Sequence, residues 1–161
     1  MAEKKASNSG GGKLNRTQTV TLRLDPRLRY LTELAARTQR RTTSGFIEWA
    51  IEQSLDQVVV RSGDDCNTTL AGEAFELWDV DEADRFIKLA TRYPYLLSHE
   101  EQIAWKLVDE TDEFWAKDSI RTYENIHIQV VRDDWELIKQ YSKNEITRDE
   151  FRSRSFMSIP I

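Results

Sequence analysis

Three polar residues near the start of the sequence are spaced two apart: Thr19, Thr21 and Arg23. In an extended strand, side chains at this spacing lie on the same face. An arginine guanidinium can donate two hydrogen bonds to O6 and N7 of guanine, and a threonine can contact a thymine methyl group or donate a hydrogen bond. The spacing therefore predicts one strand face with three side chains of types that are able to contact base edges in the major groove of DNA.

The residues between these three are apolar and predict a buried opposite face, formed by Val20, Leu22 and Leu24. No second strand nearby in the sequence can complete the hydrogen-bond ladder of this strand, and unpaired backbone groups are costly. A second copy of the chain can supply an antiparallel partner. We therefore expect a homodimer in which two strands form an intermolecular ribbon over the helices beneath.

Two helices are predicted after this strand. Asp25 is a good N-cap and Pro26 is tolerated at the first helical position, and the helical pattern runs to about Thr38. Thr42 is the N-cap candidate of the second helix. Apolar residues at helical spacing lie on one face of the first helix (Leu28, Leu31, Leu34, Ala35) and of the second (Phe46, Ile47, Ala50, Ile51, Leu55).

The start of the second helix is a candidate site for phosphate. The first N–H groups of a helix have no intrahelical acceptor, and the helix dipole is positive at this end. Hydroxyl groups are present at Thr42, Thr43 and Ser44, and positive charge precedes them at Arg40 and Arg41. We expect these five residues to bind the DNA backbone.

The order of one strand and two helices in about forty residues resembles the ribbon-helix-helix repressors, the Arc and MetJ class of β-ribbon readers. The resemblance covers residues 17–56 and rests on the sequences TVTLRLDP and RTTSGFI. It implies base reading by Thr19, Thr21 and Arg23 and phosphate binding at the start of the second helix. Many members carry glycine in the turn where this chain has Arg40. The implied core of the intertwined dimer comprises Val20, Leu22, Leu24, Leu31, Phe46, Ile47 and Ile51.

Charge and composition divide the chain near residue 57. Residues 1–56 contain 10 Lys and Arg against 6 Asp and Glu, whereas the remainder contains 13 against 22, within an overall net charge of −5. Positive charge therefore lies with the predicted ribbon. Residues 1–16 read as a flexible basic arm that either touches phosphates or stays free in solvent.

The part after residue 56 is predicted to be a linker, residues 57–73, followed by a mostly helical module, residues 74–154. Residues 57–61 either extend the second helix or form a short strand. Asp81 is a helix-capping candidate, and Ser98 with Glu101 and Thr147 with Glu150 are candidate capping boxes. The helix that Ser98 opens is expected to carry Ile103, Leu107, Val108 and Phe114 on its inner face. Residues 126 to about 143 begin with strand-like alternation and pass to helical spacing, so their first turn is ambiguous. The fold class is therefore mainly α, and a rich aromatic content indicates a packed module.

This module could sense a ligand, mediate oligomerisation or bind a protein partner through residues 57–161. The apolar residues 155–161 either fold back onto it or form a docking peptide.

Enzyme and metal motifs are weak. The two histidines, His99 and His127, lack the neighbouring ligands of a zinc site. An acidic run begins at Asp79, but Asp84 and Ala90 occupy the positions where a calcium-binding EF-hand needs glycine and a bidentate carboxylate. We expect no catalytic residue, metal or cofactor.

A single cysteine, Cys66, excludes an intramolecular disulfide and fits a reducing compartment. Because no apolar run is long enough for a membrane span, we expect no membrane association and a cytoplasmic location.

These observations predict a sequence-specific DNA-binding regulator, a repressor that binds double-stranded DNA as a homodimer or as a dimer of dimers on its operator. One alternative is an antitoxin that represses its own promoter while residues 57–161 hold a toxin. Another is a plasmid partition or relaxosome protein that marks repeated sites.

Overall fold

A computed structural model describes residues 19–62, 67–117 and 119–155. It is mainly helical with a small two-stranded antiparallel sheet, which confirms the mainly α class. The chain divides into two compact units between Trp49 and Ala50, inside the second helix. The predictions for the arm, for Cys66 and for the apolar tail beyond Ser155 lie outside the described residues.

The first unit begins with residues 19–25, which belong to no helix or strand within one chain. Helix α1 spans Pro26–Thr38, as predicted, because the Asp25 side chain accepts hydrogen bonds from the backbone N–H groups of Arg27 and Leu28. The predicted end of α1 is also confirmed.

The turn after α1 is closed by two backbone hydrogen bonds. Arg40 donates to the carbonyl of Arg37 at 3.0 Å, and Arg41 donates to the carbonyl of Ala36 at 2.9 Å. This pair of bonds is a Schellman motif, which needs a left-handed residue after the helix. Arg40 takes that place with φ 55°.

Helix α2 spans Thr43–Leu55. The Thr42 hydroxyl oxygen accepts a hydrogen bond from the Gly45 N–H at 3.0 Å, which confirms Thr42 as the cap. After α2, strand β1 (Val59–Arg61) pairs antiparallel with β2 (Thr68–Thr69). Of the two alternatives left open by the sequence, residues 59–61 therefore form a strand.

Helix α3 spans Ala74–Leu77, and α4 spans Glu82–Arg92. The Asp81 carboxylate accepts hydrogen bonds from the N–H groups of Ala83 and Asp84, which confirms it as the α4 cap. Residues Pro94–Leu96 form a short 3-10 turn after α4. The apolar face of α4 is buried: Ala83, Phe86, Ile87 and Ala90.

Helix α5 spans His99–Asp109, and α8 spans Arg148–Arg154. Both begin with the predicted capping boxes, Ser98 with Glu101 and Thr147 with Glu150. Phe114, expected on the inner face of α5, instead lies in a 3-10 turn at Asp112–Phe114. The helix ends earlier, at Asp109: the backbone of Thr111 is extended, and its hydroxyl donates to the Leu107 carbonyl at 2.6 Å.

The segment from residue 126 to about 143, whose first turn was ambiguous between strand and helix, forms two helices. A 3-10 turn at Tyr123–Asn125 precedes α6 (Ile128–Asp133), and α7 (Trp135–Ser142) follows after a break at Asp134. The buried Asp134 carboxylate accepts a hydrogen bond from the Ser155 hydroxyl after α8. This contact across the unit accompanies the change of direction.

A hydrophobic core that includes several aromatic rings holds the second unit together. The rings of Trp105 and Trp115 meet at 5.9 Å between centroids, and those of Phe114 and Phe151 at 6.4 Å. The cluster draws its members from the helices α4 to α8 and the turns between them. Its fully buried side chains include Ile87, Val108, Phe114, Val131, Ile138 and Phe151. Across the ranges that the model describes, every helix is too short or too polar to cross a bilayer.

Candidate nucleic-acid interface

The predicted ribbon segment exposes both of its faces in a single chain. Val20 and Leu22 retain 76% and 54% of their surface in solvent. The predicted base-reading residues Thr19, Thr21 and Arg23 are exposed as well. Among the described residues, no hydrogen bond or ion pair engages Arg23, so its guanidinium is available to a ligand.

Helices α1 and α2 also leave apolar residues uncovered in a single chain. Leu31 of α1 and Ile51 of α2 are about half exposed, and Phe46 and Ile47 are only partly buried. Leu24, at the end of the ribbon segment, is likewise only partly buried. In the described part of the first unit the buried side chains are Thr32 and Ala36. The residues predicted for the dimer core are therefore exposed or only partly buried in a single chain, and Leu28 and Tyr30 of α1 are exposed as well.

The predicted phosphate site is an open helix terminus. The cap from Thr42 satisfies the N–H of Gly45, and helix geometry leaves the N–H groups of Thr43 and Ser44 without an intrahelical acceptor. Thr42, Thr43 and Ser44 are exposed. Two donors and the positive end of the α2 dipole thus face solvent at one place.

Gly45 keeps this terminus compact. A Cβ atom built at Gly45 would lie 3.1 Å from the Thr42 hydroxyl oxygen, closer than an ordinary van der Waals contact. The glycine allows the capping hydroxyl to sit against the backbone. The sequence analysis did not single out this residue, although glycine three residues after a cap is a readable signal.

Trp49 is a second residue that the sequence analysis missed. The Arg41 guanidinium carbon lies 5.2 Å from the centre of the Trp49 ring, and the Trp49 ring meets Phe46 at 5.6 Å. Cation–π stacking holds Arg41 beside the start of α2. The available signal was that Trp49 is the tryptophan nearest to the basic turn in the sequence.

The acidic residues that begin at Asp79 form ion pairs and hydrogen bonds within the second unit. Asp79 bonds Lys88 at 2.8 Å, and a hydrogen bond from Lys88 lowers the pKa of Asp79. Glu82 accepts a hydrogen bond from the Trp135 indole at 3.1 Å. Among the described residues, no group of three or more His, Cys, Asp or Glu side chains is placed to hold a metal ion.

Asp84 forms the most deeply buried of these contacts. Its carboxylate accepts hydrogen bonds from Arg132 at 2.7 and 2.9 Å and from the Tyr123 hydroxyl at 2.8 Å. Burial favours a higher pKa for Asp84, but the hydrogen bonds from Arg132 and Tyr123 outweigh it, and the pKa is lowered. Burial and the bond to Asp84 raise the pKa of Tyr123 to about 12.

The sequence analysis treated Asp84 as part of a charged helix start. Its position three residues before Ile87, on the apolar side of α4, was the signal that it faces inward.

No protein-family model matches this chain, and neither a curated protein nor a solved structure is significantly similar to it. Its function must therefore be inferred from its own residues.

Proposed function

We propose that this protein is a homodimeric, sequence-specific DNA-binding regulator, acting as a repressor, whose paired N-terminal segments read the major groove. The observation that carries this proposal is the first unit, where the helices are capped and complete but the apolar side chains are left in solvent. Burying one leucine or valine side chain stabilises a protein by about 1.5–3 kcal/mol. A second copy would cover Val20, Leu22 and Leu31 at once.

Antiparallel pairing of residues 19–24 from two chains accounts for the exposed polar face of this segment. In an antiparallel pair, Thr19, Thr21 and Arg23 of both chains lie on the side opposite the apolar residues. The major groove is about 12 Å wide and admits a two-stranded ribbon. The unpaired Arg23 then reaches guanine, and the threonines reach neighbouring bases.

The start of α2 supplies the backbone contacts that fix the ribbon on DNA. The N–H groups of Thr43 and Ser44 bind a phosphate oxygen, and Arg41, held by Trp49, lies beside them. Arg40 adds positive charge from the turn. Such contacts are independent of base sequence and weaken as salt rises.

The closed core of the second unit favours a regulator over an antitoxin. Neutralising tails in the resembled family tend to be short and disordered when free. Helices α4 to α8 instead pack around a hydrophobic core that includes aromatic residues. The second unit is therefore suited to oligomerisation or to binding an effector or a protein partner.

Selection of bound sequences from random double-stranded DNA, with the full-length protein, tests the proposal. We expect a site with two related half-sites, because a twofold-symmetric dimer presents the same residues twice. Arg23→Ala should weaken binding to that site by roughly 1–3 kcal/mol and remove discrimination at one base pair of each half-site.

Arg152→Ala is the matched control, since Arg152 is an exposed arginine on α8. It should leave both affinity and sequence preference unchanged. Recovery of no preferred sequence, or equal binding by the Arg23→Ala variant and the native protein, would refute the proposal.

A further inference from the structure

A cleft of about 550 Å³ opens on the second unit between α4, α5 and α7. Sites for small molecules have volumes of about 300–1,000 Å³ and are lined mainly by apolar and aromatic side chains. The apolar lining of this cleft comes from the three helices and from the end of α3: Leu77, Phe86, Leu89, Ala104 and Trp135. Every lining residue belongs to the second unit, so the cleft requires neither the dimer nor DNA.

Contacts between the helices fix the shape of the cleft. The Glu82 carboxylate of α4 accepts hydrogen bonds from the Trp135 indole at 3.1 Å and from Lys139 at 3.3 Å, both on α7. The rings of Phe86 and Trp135 meet at 5.2 Å between centroids, and the start of α5 is held by its capping box. A ligand would therefore enter a site that is already formed, which lowers the entropic cost of binding.

The charged side chains of the lining balance one another. They are three acidic and three basic residues: Glu82, Glu100, Glu101, Arg85, Lys139 and Lys143. A ligand with a single charge of either sign would meet as much repulsion as attraction in such a lining. A ligand that carries one positive and one negative group complements it.

Four of these six side chains are engaged within the chain. Glu82 and Lys139 bond each other, as described above. Arg85 donates to two backbone carbonyls that precede α4, at 2.7 and 3.1 Å, and Glu101 accepts a backbone N–H in the capping box of α5. Their charges are therefore already neutralised or hydrogen-bonded.

The other two charged side chains of the lining are Glu100, near the start of α5, and Lys143, directly after α7. Both are exposed, and within the described ranges neither forms a hydrogen bond or an ion pair. Their charges are opposite. One carboxylate and one ammonium group at the rim of an apolar cleft are thus available to a ligand.

We propose that this cleft binds a small zwitterion with an aromatic side group, of the class of the aromatic α-amino acids. The ligand carboxylate pairs with the Lys143 ammonium, and the ligand ammonium pairs with the Glu100 carboxylate. The aromatic group packs against Phe86, Leu89 and Trp135, where ring contacts add to the burial of apolar surface. This inference is independent of the proposed function, because the cleft lies wholly within the second unit.

The test is isothermal titration calorimetry of the full-length protein with L-phenylalanine and with three compounds that each lack one of its parts. Glycine lacks the aromatic group, 3-phenylpropionate lacks the ammonium, and 2-phenylethylamine lacks the carboxylate. We expect L-phenylalanine to bind with a dissociation constant below about 1 mM. Each of the other compounds should bind about tenfold more weakly or worse, because a charged hydrogen bond or the burial of the ring is lost.

Two substitutions connect this binding to the cleft. Lys143→Gln and Glu100→Gln should each weaken the binding of L-phenylalanine about tenfold. Lys143→Gln should also abolish the preference over 2-phenylethylamine, and Glu100→Gln the preference over 3-phenylpropionate, because each variant lacks the partner of the missing group.

The matched controls are Lys117→Gln and Glu113→Gln, at exposed residues outside the cleft. Each should change the dissociation constant by less than about twofold. Far-ultraviolet circular dichroism checks that every variant is folded.

The inference is overturned if L-phenylalanine does not bind below about 1 mM, or if 3-phenylpropionate or 2-phenylethylamine binds as tightly. It is also overturned if the two cleft variants weaken binding no more than the two controls do. None of these results bears on the DNA-binding proposal, which the selection of bound sequences tests separately.

Discussion

The two units of this protein contain similar helices but bury very different amounts of apolar surface. Helix α1 has 13 residues and α2 begins in the first unit, yet the buried residues in the described part of that unit are Thr32 and Ala36. The second unit, with helices of 4 to 11 residues, encloses a hydrophobic core that includes aromatic residues. Helix length and capping are local properties, whereas a core requires partners. The second unit has them within its own chain, and the first unit needs another copy.

The largest predicted effect contrasts a core residue of each unit. Phe151→Ala should destabilise the second unit by about 3–5 kcal/mol, because Phe151 is fully buried against Phe114 and Tyr141. This loss should not depend on protein concentration. The thermal midpoint of the first unit should itself fall on dilution, because its apolar residues are buried only in the dimer, and Leu31→Ala should lower that midpoint at every concentration.

Thermal unfolding followed over a hundredfold range of protein concentration checks both expectations. Ile120→Ala is the control for an exposed apolar residue and should leave both transitions in place. A thermal midpoint of the first unit that does not change with protein concentration would remove the distinction between the units.

The next effect concerns the acid sensitivity of the second unit. The lowered pKa of Asp84 in the folded state means that its contribution to stability is complete above the unfolded-state pKa of about 3.9 and is lost as the pH falls through the folded-state value. Asp84→Asn should cost about 2 kcal/mol at pH 7, because hydrogen bonds to a charged group are lost.

The same variant should flatten the decrease in unfolding free energy below pH 4. Urea unfolding of both proteins between pH 2.5 and pH 7 measures this. If the unfolding free energies of the native protein and of Asp84→Asn change in parallel with pH, the carboxylate of Asp84 is not the group that couples stability to pH.

Helix caps provide a smaller and closely matched contrast. Thr42 caps α2 in the first unit and Thr147 caps α8 in the second, each through its hydroxyl oxygen. Replacing either threonine with alanine should destabilise its unit by about 1 kcal/mol. Only Thr42→Ala should also weaken DNA binding, by a similar factor for all sequences, because only α2 begins at the proposed phosphate site. Titrations of both variants with specific and unrelated DNA measure this difference. Weaker DNA binding by Thr147→Ala would contradict the assignment of the phosphate site to α2.

The smallest predicted effect concerns two residues with a left-handed backbone conformation, one in each unit. Arg40 follows α1 with φ 55°, and Asn144 follows α7 with φ 58°. Glycine relieves the left-handed conformation, and asparagine already tolerates it better than arginine. Arg40→Gly should therefore stabilise the first unit by up to about 1 kcal/mol, and Asn144→Gly should change the second by less. Chemical denaturation measures both, and a larger gain at Asn144 would be the contrary result.

Local signals in the sequence predicted much of the fold. Asp25, Thr42, Asp81, Ser98 and Thr147 were all identified as caps, because a cap depends on a side chain and the few backbone groups after it. The interruption at Asp134 was not predicted, since its buried carboxylate contacts Ser155, a residue distant in sequence. The early end of α5 was missed because the apolar residues at helical spacing continue to Phe114.

In the candidate site, too, some features could be predicted from the sequence and others depend on the folded structure. The period-two spacing of Thr19, Thr21 and Arg23 and the start of α2 are visible in the sequence. The stacking of Arg41 on Trp49 depends on how the turn places residues eight apart, and the inward position of Asp84 depends on which side of α4 meets Arg132. The ribbon itself requires a second chain and stays a prediction.

The most direct test of the intermolecular ribbon is an isotope-filtered NMR experiment on full-length dimers refolded from an equal mixture of labelled and unlabelled chains. Paired residues of antiparallel strands have Cα atoms about 4.5–5.5 Å apart. The ribbon predicts nuclear Overhauser effects between chains among residues 19–24, with those of Leu22 connecting the two copies. A protein whose residues 19–24 show contacts only within their own chain, or no contacts between chains at all, would contradict it.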